Sequence, residues 1–131
     1  MNTGSTVGLE ILVIEDHRDA ALGLQELLEI EGHRVTVVED GESGLAWLRE
    51  HRADVVICDL GLPGMGGLEV AREIRGRPEL GTPSLLALSG RGHAETRDEV
   101  AAAGFDGHLV KPVDLARLQE LLASVARTGE S

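Results

Sequence analysis

Two rhythms of apolar residues alternate along the chain. Short, nearly continuous aliphatic or β-branched runs occur at Leu9–Ile14, Arg34–Val38, Val55–Cys58, Ser84–Leu88 and His108–Val110; their length and composition predict strands. Between them apolar positions recur at three- and four-residue spacing, as in Ala20, Ala21, Leu24, Leu27 and Leu28, or Leu115, Leu118, Leu121, Leu122 and Val125. That spacing puts them on one face of a helix. Helices are predicted over Asp19–Glu31, Gly41–Glu50, Leu68–Arg75, Ala94–Ala103 and Asp114–Ala126. Gly32 and Gly104 stand where the first and fourth should stop, and Asp40 where the second should be capped.

Strands one, three and four are apolar almost throughout, as expected when helices cover both faces of a parallel sheet. The pattern therefore predicts a doubly wound α/β fold, a single domain over residues 9–126 with disordered tails at 1–8 and 127–131. In such sheets ligands bind beyond the carboxyl ends of the strands, so the residues that finish each strand are the ones that matter.

Composition narrows the picture. Aromatic residues make up 2% of the 131, so the core must be aliphatic. Net charge is −11, from 23 acidic and 12 basic side chains, which argues against nonspecific binding to nucleic acid or an anionic membrane. Cys58 is the one cysteine; it excludes an intrachain disulfide and reads as a small core residue rather than a reactive thiol. No apolar stretch nears the roughly 20 residues that span a bilayer, and the polar start lacks a signal-peptide hydrophobic region, so a cytoplasmic location is expected. His17, His33, His51 and His93 show no ligand spacing and are expected at the surface.

The strand ends carry the chemistry. Strand one finishes Ile14-Glu15-Asp16, strand three Cys58-Asp59, strand four Leu88-Ser89-Gly90 and strand five Val110-Lys111-Pro112. Parallel strands bring three carboxylates, a hydroxyl and an ammonium to one rim. Two carboxylates about 4 Å apart repel by about 1 kcal/mol in water and about 4 kcal/mol at an effective dielectric of 20. Such a cluster asks for a counter-ion that Lys111 supplies only in part. Oxygen ligands favour a hard cation, Mg²⁺ above all, which binds through one or two carboxylates plus phosphate oxygens and waters. Beside that ion Asp59 has the placement of a nucleophile toward a phosphoryl group. Lys111 would neutralise the transferring oxygens, Ser89 would bond one of them, and small Gly90 would leave room. The glycine-rich loop 61–67 invites comparison with a phosphate loop, but no Lys-Ser/Thr follows it and the third glycine of a dinucleotide fingerprint is missing.

The set Glu15-Asp16, Asp59, Ser89 and Lys111-Pro112, in this order at the ends of strands one, three, four and five, resembles the receiver domain of two-component response regulators. The likeness runs from about Leu9 to Val125. The segments CDLGLPGMGGLEVAREIR and AGFDGHLVKPVD look most like receivers associated with hybrid histidine kinases. The resemblance implies a flavodoxin-like strand order 2-1-3-4-5 and a role for each residue. Asp59 would be the phosphoacceptor, and Asp16 and Asp59 would bind Mg²⁺, or Mn²⁺ in its place, with the Gly61 carbonyl and with Glu15 through water. Lys111 would contact the phosphoryl group, across a cis bond to Pro112. Ser89 would turn inward on phosphorylation, with Gly90 beside it. His108 takes the position where the family more often has Tyr or Phe, the aromatic that moves with that switch.

The implied partners are a sensor or hybrid histidine kinase, or a histidine phosphotransfer protein, and a downstream protein effector. A homodimer through the fourth helix, fifth strand and fifth helix is a further expectation. No separate substrate would be turned over. Two rival readings stay open on the residues alone: a phosphoryl-transfer enzyme acting on another substrate, and an interaction module with a vestigial site. Ser89 as a plain turn residue, and His108 as a half-buried strand residue, stay open with them. With no output domain in the chain, output is expected through another protein, from a stand-alone regulator or from a piece of a larger kinase.

Overall fold

A computed structural model describes residues 8–90 and 97–129, with side chains to residue 125. The elements follow as β1 (Glu10–Ile14), α1 (Arg18–Ile30), β2 (Arg34–Val38), α2 (Gly41–Glu50), β3 (Val55–Asp59), α3 (Gly67–Gly76), β4 (Ser84–Ser89), α4 (Arg97–Ala103), β5 (Gly107–Val110) and α5 (Leu115–Gly129). The five strands form one parallel sheet in the order β2-β1-β3-β4-β5.

The sheet alternates sides residue by residue, as the two-residue period of a strand requires. Leu12, Ile14, Val56, Cys58, Leu85 and Ala87 belong to a core closed by α2, α3 and α4 through residues such as Leu45, Ile74 and Val100. Ile11, Val13, Val55, Ile57, Leu86 and Leu88 belong to a second core, closed by α1 and α5 through Leu24, Leu28, Leu118 and Leu122. Burial on both faces accounts for the continuous apolar runs.

Local signals act as the sequence suggests. Asp40 accepts the Ser43 N–H at 2.7 Å and caps α2. Gly32 (φ +99°) and Gly104 (φ +115°) take left-handed conformations just past α1 and α4, which side chains rarely adopt.

Other details depart from expectation. Asp59 and Ser89 are the last residues of β3 and β4, held in register with Leu88 and Val110. The helix α5 runs to Gly129, three residues past the expected end at Ala126. Ala94 to Thr96, expected to open the fourth helix, lie outside the described residues, as do His93 and the tails at 1–7 and 130–131. A short 3-10 turn, Pro78–Leu80, was not foreseen; it opens on proline and buries Leu80. Ala20 and Leu27, expected inward, are exposed, whereas Ala21, Leu24 and Leu28 are buried. His33 corrects another expectation: it is 6% exposed, and its Nδ1 accepts the Leu9 N–H at 3.2 Å. His33 lies in the turn between α1 and β2, where its bond to the Leu9 N–H and its own N–H bond to Leu28 O draw it inward.

Candidate functional site

The strand ends reach one rim on rigid backbone. The Glu15 N–H donates to Val38 O of β2 at 3.1 Å, the Leu60 N–H to Leu88 O of β4 at 2.8 Å, and the Lys111 N–H to Ser89 O at 2.8 Å. Glu15 and Lys111, and the residue directly after Asp59, are thus tied to neighbouring strands. The Lys111–Pro112 peptide is cis.

Glu15 is 1% exposed and Asp59 4%. Between them sits the Lys111 ammonium, with Nζ 2.7 Å from Glu15 Oε1 and 3.1 Å from Asp59 Oδ2. The Glu15 contact is an ion pair whose angle leaves Oε1 without a proper hydrogen bond. Asp59 Oδ1 accepts the Gly61 N–H at 2.9 Å. Glu15 Oε2 faces the other way, accepts the His17 backbone N–H at 3.0 Å and lies 3.3 Å from His17 Nδ1. Asp16 Oδ1 is buried and has no hydrogen-bond partner among the described residues.

The electrostatics follow from this geometry. Burial alone would raise the Asp59 pKa. The Gly61 N–H and the Lys111 ammonium outweigh it and hold the carboxyl below its ordinary value. For Lys111 burial acts to lower the pKa, and the two carboxylates outweigh it, so the ammonium is held above its ordinary value. Cys58 is pushed up by burial first and then by Asp59 and Glu15, which leaves an inert thiol.

Three carboxylates against one ammonium leave two negative charges on the rim, and one ligand atom each from Glu15, Asp16, His17 and Asp59 lies within 4.8 Å of the others. An orphaned buried carboxylate oxygen and an oxygen-rich donor set fit a divalent cation. On the other half of the rim Ser89, 3% exposed, has its Oγ 2.7 Å from His108 Nε2. Gly90, half-buried, follows it. Beside the acids an apolar concavity of about 270 Å³ opens between α1 and the Pro112 turn, lined in part by Ala20, Leu24, Leu27, Leu88 and Val113.

The sequence pattern of the "Response regulator receiver domain" family matches residues 11–123. This chain belongs to the response regulator receiver family. Its receiver domain is 37% identical over 129 residues to the virulence sensor protein BvgS of Bordetella pertussis, covering 94% of this chain and 10% of that protein. It is 35% identical over 119 residues to the two-component response regulator PhoP of Pseudomonas aeruginosa, covering 91% of this chain and 52% of PhoP. The chain thus spans about half or less of these curated relatives. Among solved structures, the receiver domain of a sensor histidine kinase of Pseudomonas aeruginosa, with a magnesium ion coordinated in its active-site cleft, superposes with a TM-score of 0.82 at 30% identity. That match covers 92% of this chain and 98% of the other. A CheY-like receiver of Methylobacillus flagellatus gives 0.82 at 32% identity, over 90% and 98%. The strand order 2-1-3-4-5 is that of CheY-like receivers.

Three features of the receiver domain escaped the sequence reading. The direct Ser89–His108 bond needs the register of β4 against β5, in which Ala87 pairs with His108. His17 is 74% exposed, as expected of a surface residue, yet its ring faces Glu15 and Asp16 at 3.3 and 3.6 Å; its place directly after the acidic pair was the available signal. Gly67 supports the strand that ends in Asp59: a Cβ there would lie 2.5 Å from Asp59 O and 2.8 Å from Leu60 Cα. The Gly66-Gly67 pair opening a helix hinted at such a close approach.

Proposed function

We propose that this receiver domain takes a phosphoryl group from a phosphohistidine onto Asp59 and passes the change to a partner protein. The donor is a sensor or hybrid histidine kinase or a histidine phosphotransfer protein. The observation that carries the reading is the position of Asp59, a buried carboxylate kept ionised below its ordinary pKa between the Gly61 N–H and the Lys111 ammonium. An ionised oxygen attacks phosphorus and forms a P–O bond. The P–N bond to the donor imidazole breaks, and that nitrogen leaves with the electron pair. Glu15, Asp16, Asp59 and the Gly61 carbonyl are the residues that hold Mg²⁺, or Mn²⁺ in its place, with Glu15 acting through water. The ion supplies neutralisation of the transferring oxygens. Lys111 releases Asp59 to pair with the phosphoryl group and keeps its contact with Glu15.

Ser89 then leaves His108 for the phosphoryl group, with Gly90 leaving room, and their 2.7 Å hydrogen bond breaks. That step links the site to the face of α4, β5 and α5, where Val110 is 53% exposed; effector binding and homodimerisation belong there. The apolar concavity beside Pro112 offers a protein donor a surface that reaches Glu15 and Lys111 at the rim. The signalling unit is residues 9–126, acting in the cytoplasm with no direct nucleic-acid or membrane contact. It assists its own phosphorylation and turns over no separate substrate.

The test is intact mass after incubation with acetyl phosphate, with Mg²⁺ or with chelator, on wild type and Asp59→Asn. One phosphoryl adduct that requires Mg²⁺ and is absent from a folded Asp59→Asn is expected. An adduct that persists in Asp59→Asn, or forms equally in chelator, would remove Asp59 or the metal from the mechanism.

A further inference from the structure

His17 ends the turn between β1 and α1 and stands at the N-cap of that helix, where Ser, Thr, Asp or Asn would ordinarily bond a backbone N–H. Its side chain makes no such bond. The ring turns instead toward the acids, with Nδ1 3.3 Å from Glu15 Oε2 and 3.6 Å from Asp16 Oδ1. Donor atoms about 2.1 Å from one ion stand about 3.0 Å apart when adjacent and about 4.2 Å apart when opposite. The four candidate atoms all lie within 4.8 Å of one another, so a small contraction of the turn brings them to that spacing. Asp16 Oδ1, buried and lacking a hydrogen-bond partner among the described residues, is aimed into the same space.

An imidazole nitrogen changes what such a site selects. Carboxylates and waters suit Mg²⁺, whereas imidazole suits Zn²⁺ and its neighbours in the first transition row. We propose that His17 is an additional ligand of this centre through Nδ1, and that it makes the receiver hold a first-row transition dication of the Zn²⁺ and Co²⁺ class more tightly than Mg²⁺. The inference rests on the reading of Glu15, Asp16 and Asp59 as a metal centre. Its consequence is competition: a transition ion at low concentration would displace the Mg²⁺ expected to support phosphorylation.

Co²⁺ is the probe, because an imidazole bound through Nδ1 keeps its proton on Nε2 and gives a strongly shifted exchangeable proton signal. Calorimetric titrations of the full chain with Co²⁺ and with Mg²⁺ are compared for wild type, His17→Ala and His51→Ala, alongside proton spectra of the Co²⁺ samples in water. His17→Ala is expected to lose about tenfold or more in Co²⁺ affinity, to keep its Mg²⁺ affinity, and to lack the shifted signal that wild type and His51→Ala both show. His17 is exposed, so the variant should keep its fold, which circular dichroism checks. If Co²⁺ affinity and the shifted signal both survive His17→Ala, the inference falls and the carboxylate centre stands. If wild type binds neither ion, the metal reading of the acids falls and takes the inference with it.

Discussion

The two halves of the rim meet the same difficulty, polar groups at the end of a buried sheet, in opposite ways. On the β1–β3 side Glu15 and Asp59 share a single ammonium and, with Asp16 beside them, leave two negative charges without a counter-charge. On the β4–β5 side Ser89 and His108 bond each other at 2.7 Å. The first half carries negative charge that its own ammonium does not offset, which favours a cation there. The second has its hydroxyl satisfied and must give up a bond to join in. A switch needs that asymmetry: a ligand shifts an equilibrium only when it interacts differently with the two states, and in the switch proposed above Ser89 has a different partner in each.

If the charged half depends on Lys111, removing the ammonium should produce the largest effect. Taking one partner from a fully buried ion pair costs about 3–5 kcal/mol; Lys111 is 27% exposed, so Lys111→Met should cost about 2–3 kcal/mol in urea denaturation without divalent ions. Mg²⁺ should still bind, and adding Glu15→Gln should recover part of the loss. A Lys111→Met chain as stable as wild type would mean that water, not the ammonium, satisfies Glu15 and Asp59.

The next effect comes from beneath the charged half. Gly67→Ala drives a methyl group against Asp59 O and Leu60 Cα, both main-chain atoms that cannot swing away. A loss of about 2 kcal/mol is expected, with slower phosphorylation by acetyl phosphate because the carboxylate moves with its strand. Unchanged stability would show that α3 slides to make room.

On the other half the stakes are smaller. Ser89→Ala removes one hydrogen bond and should cost about 1 kcal/mol, leaving Mg²⁺ affinity unchanged because Ser89 belongs to no ion pair. Its larger effect should be on the readout: phosphorylated wild type should show shifted amide signals along β5, and phosphorylated Ser89→Ala should not. Equal shifts in both would detach Ser89 from the switch.

How much of this was legible in the sequence divides along the same line. Glu15, Asp16, Asp59 and Lys111 could be placed because each follows an apolar run, and parallel strands deliver their ends to one rim. The strand pattern fixed the fold for the same reason, since residues buried on both faces leave continuous runs. Contacts that depend on register or on a turn's path could not be read. The Ser89–His108 bond requires knowing which residues of β4 and β5 face each other, and the orientation of the His17 ring depends on the turn into α1. Pro78–Leu80 is too short for any periodicity to show.

His33 offers the smallest effect and the cleanest control, since it lies beside the start of β1, at the opposite end of that strand from the acids. Burial holds its imidazole below the ordinary value of 6.5, against the opposing pull of Glu31. The Leu9 N–H points at Nδ1 at 3.2 Å, so that nitrogen must be unprotonated in the folded chain. As pH falls the unfolded chain takes up the proton first. The stability His33 contributes is therefore complete above about pH 6.5 and is lost as pH falls through its lower folded value. Urea midpoints from about pH 7.5 to about pH 5.5 should decline in wild type by less than about 1.4 kcal/mol per pH unit on this account. His33→Asn, whose side-chain carbonyl can accept the same N–H, should lose that part of the slope. An identical slope in the variant would show that His33 is not the source of the acid sensitivity in this range, and Asp59, with its depressed pKa, would lose its contribution only at lower pH.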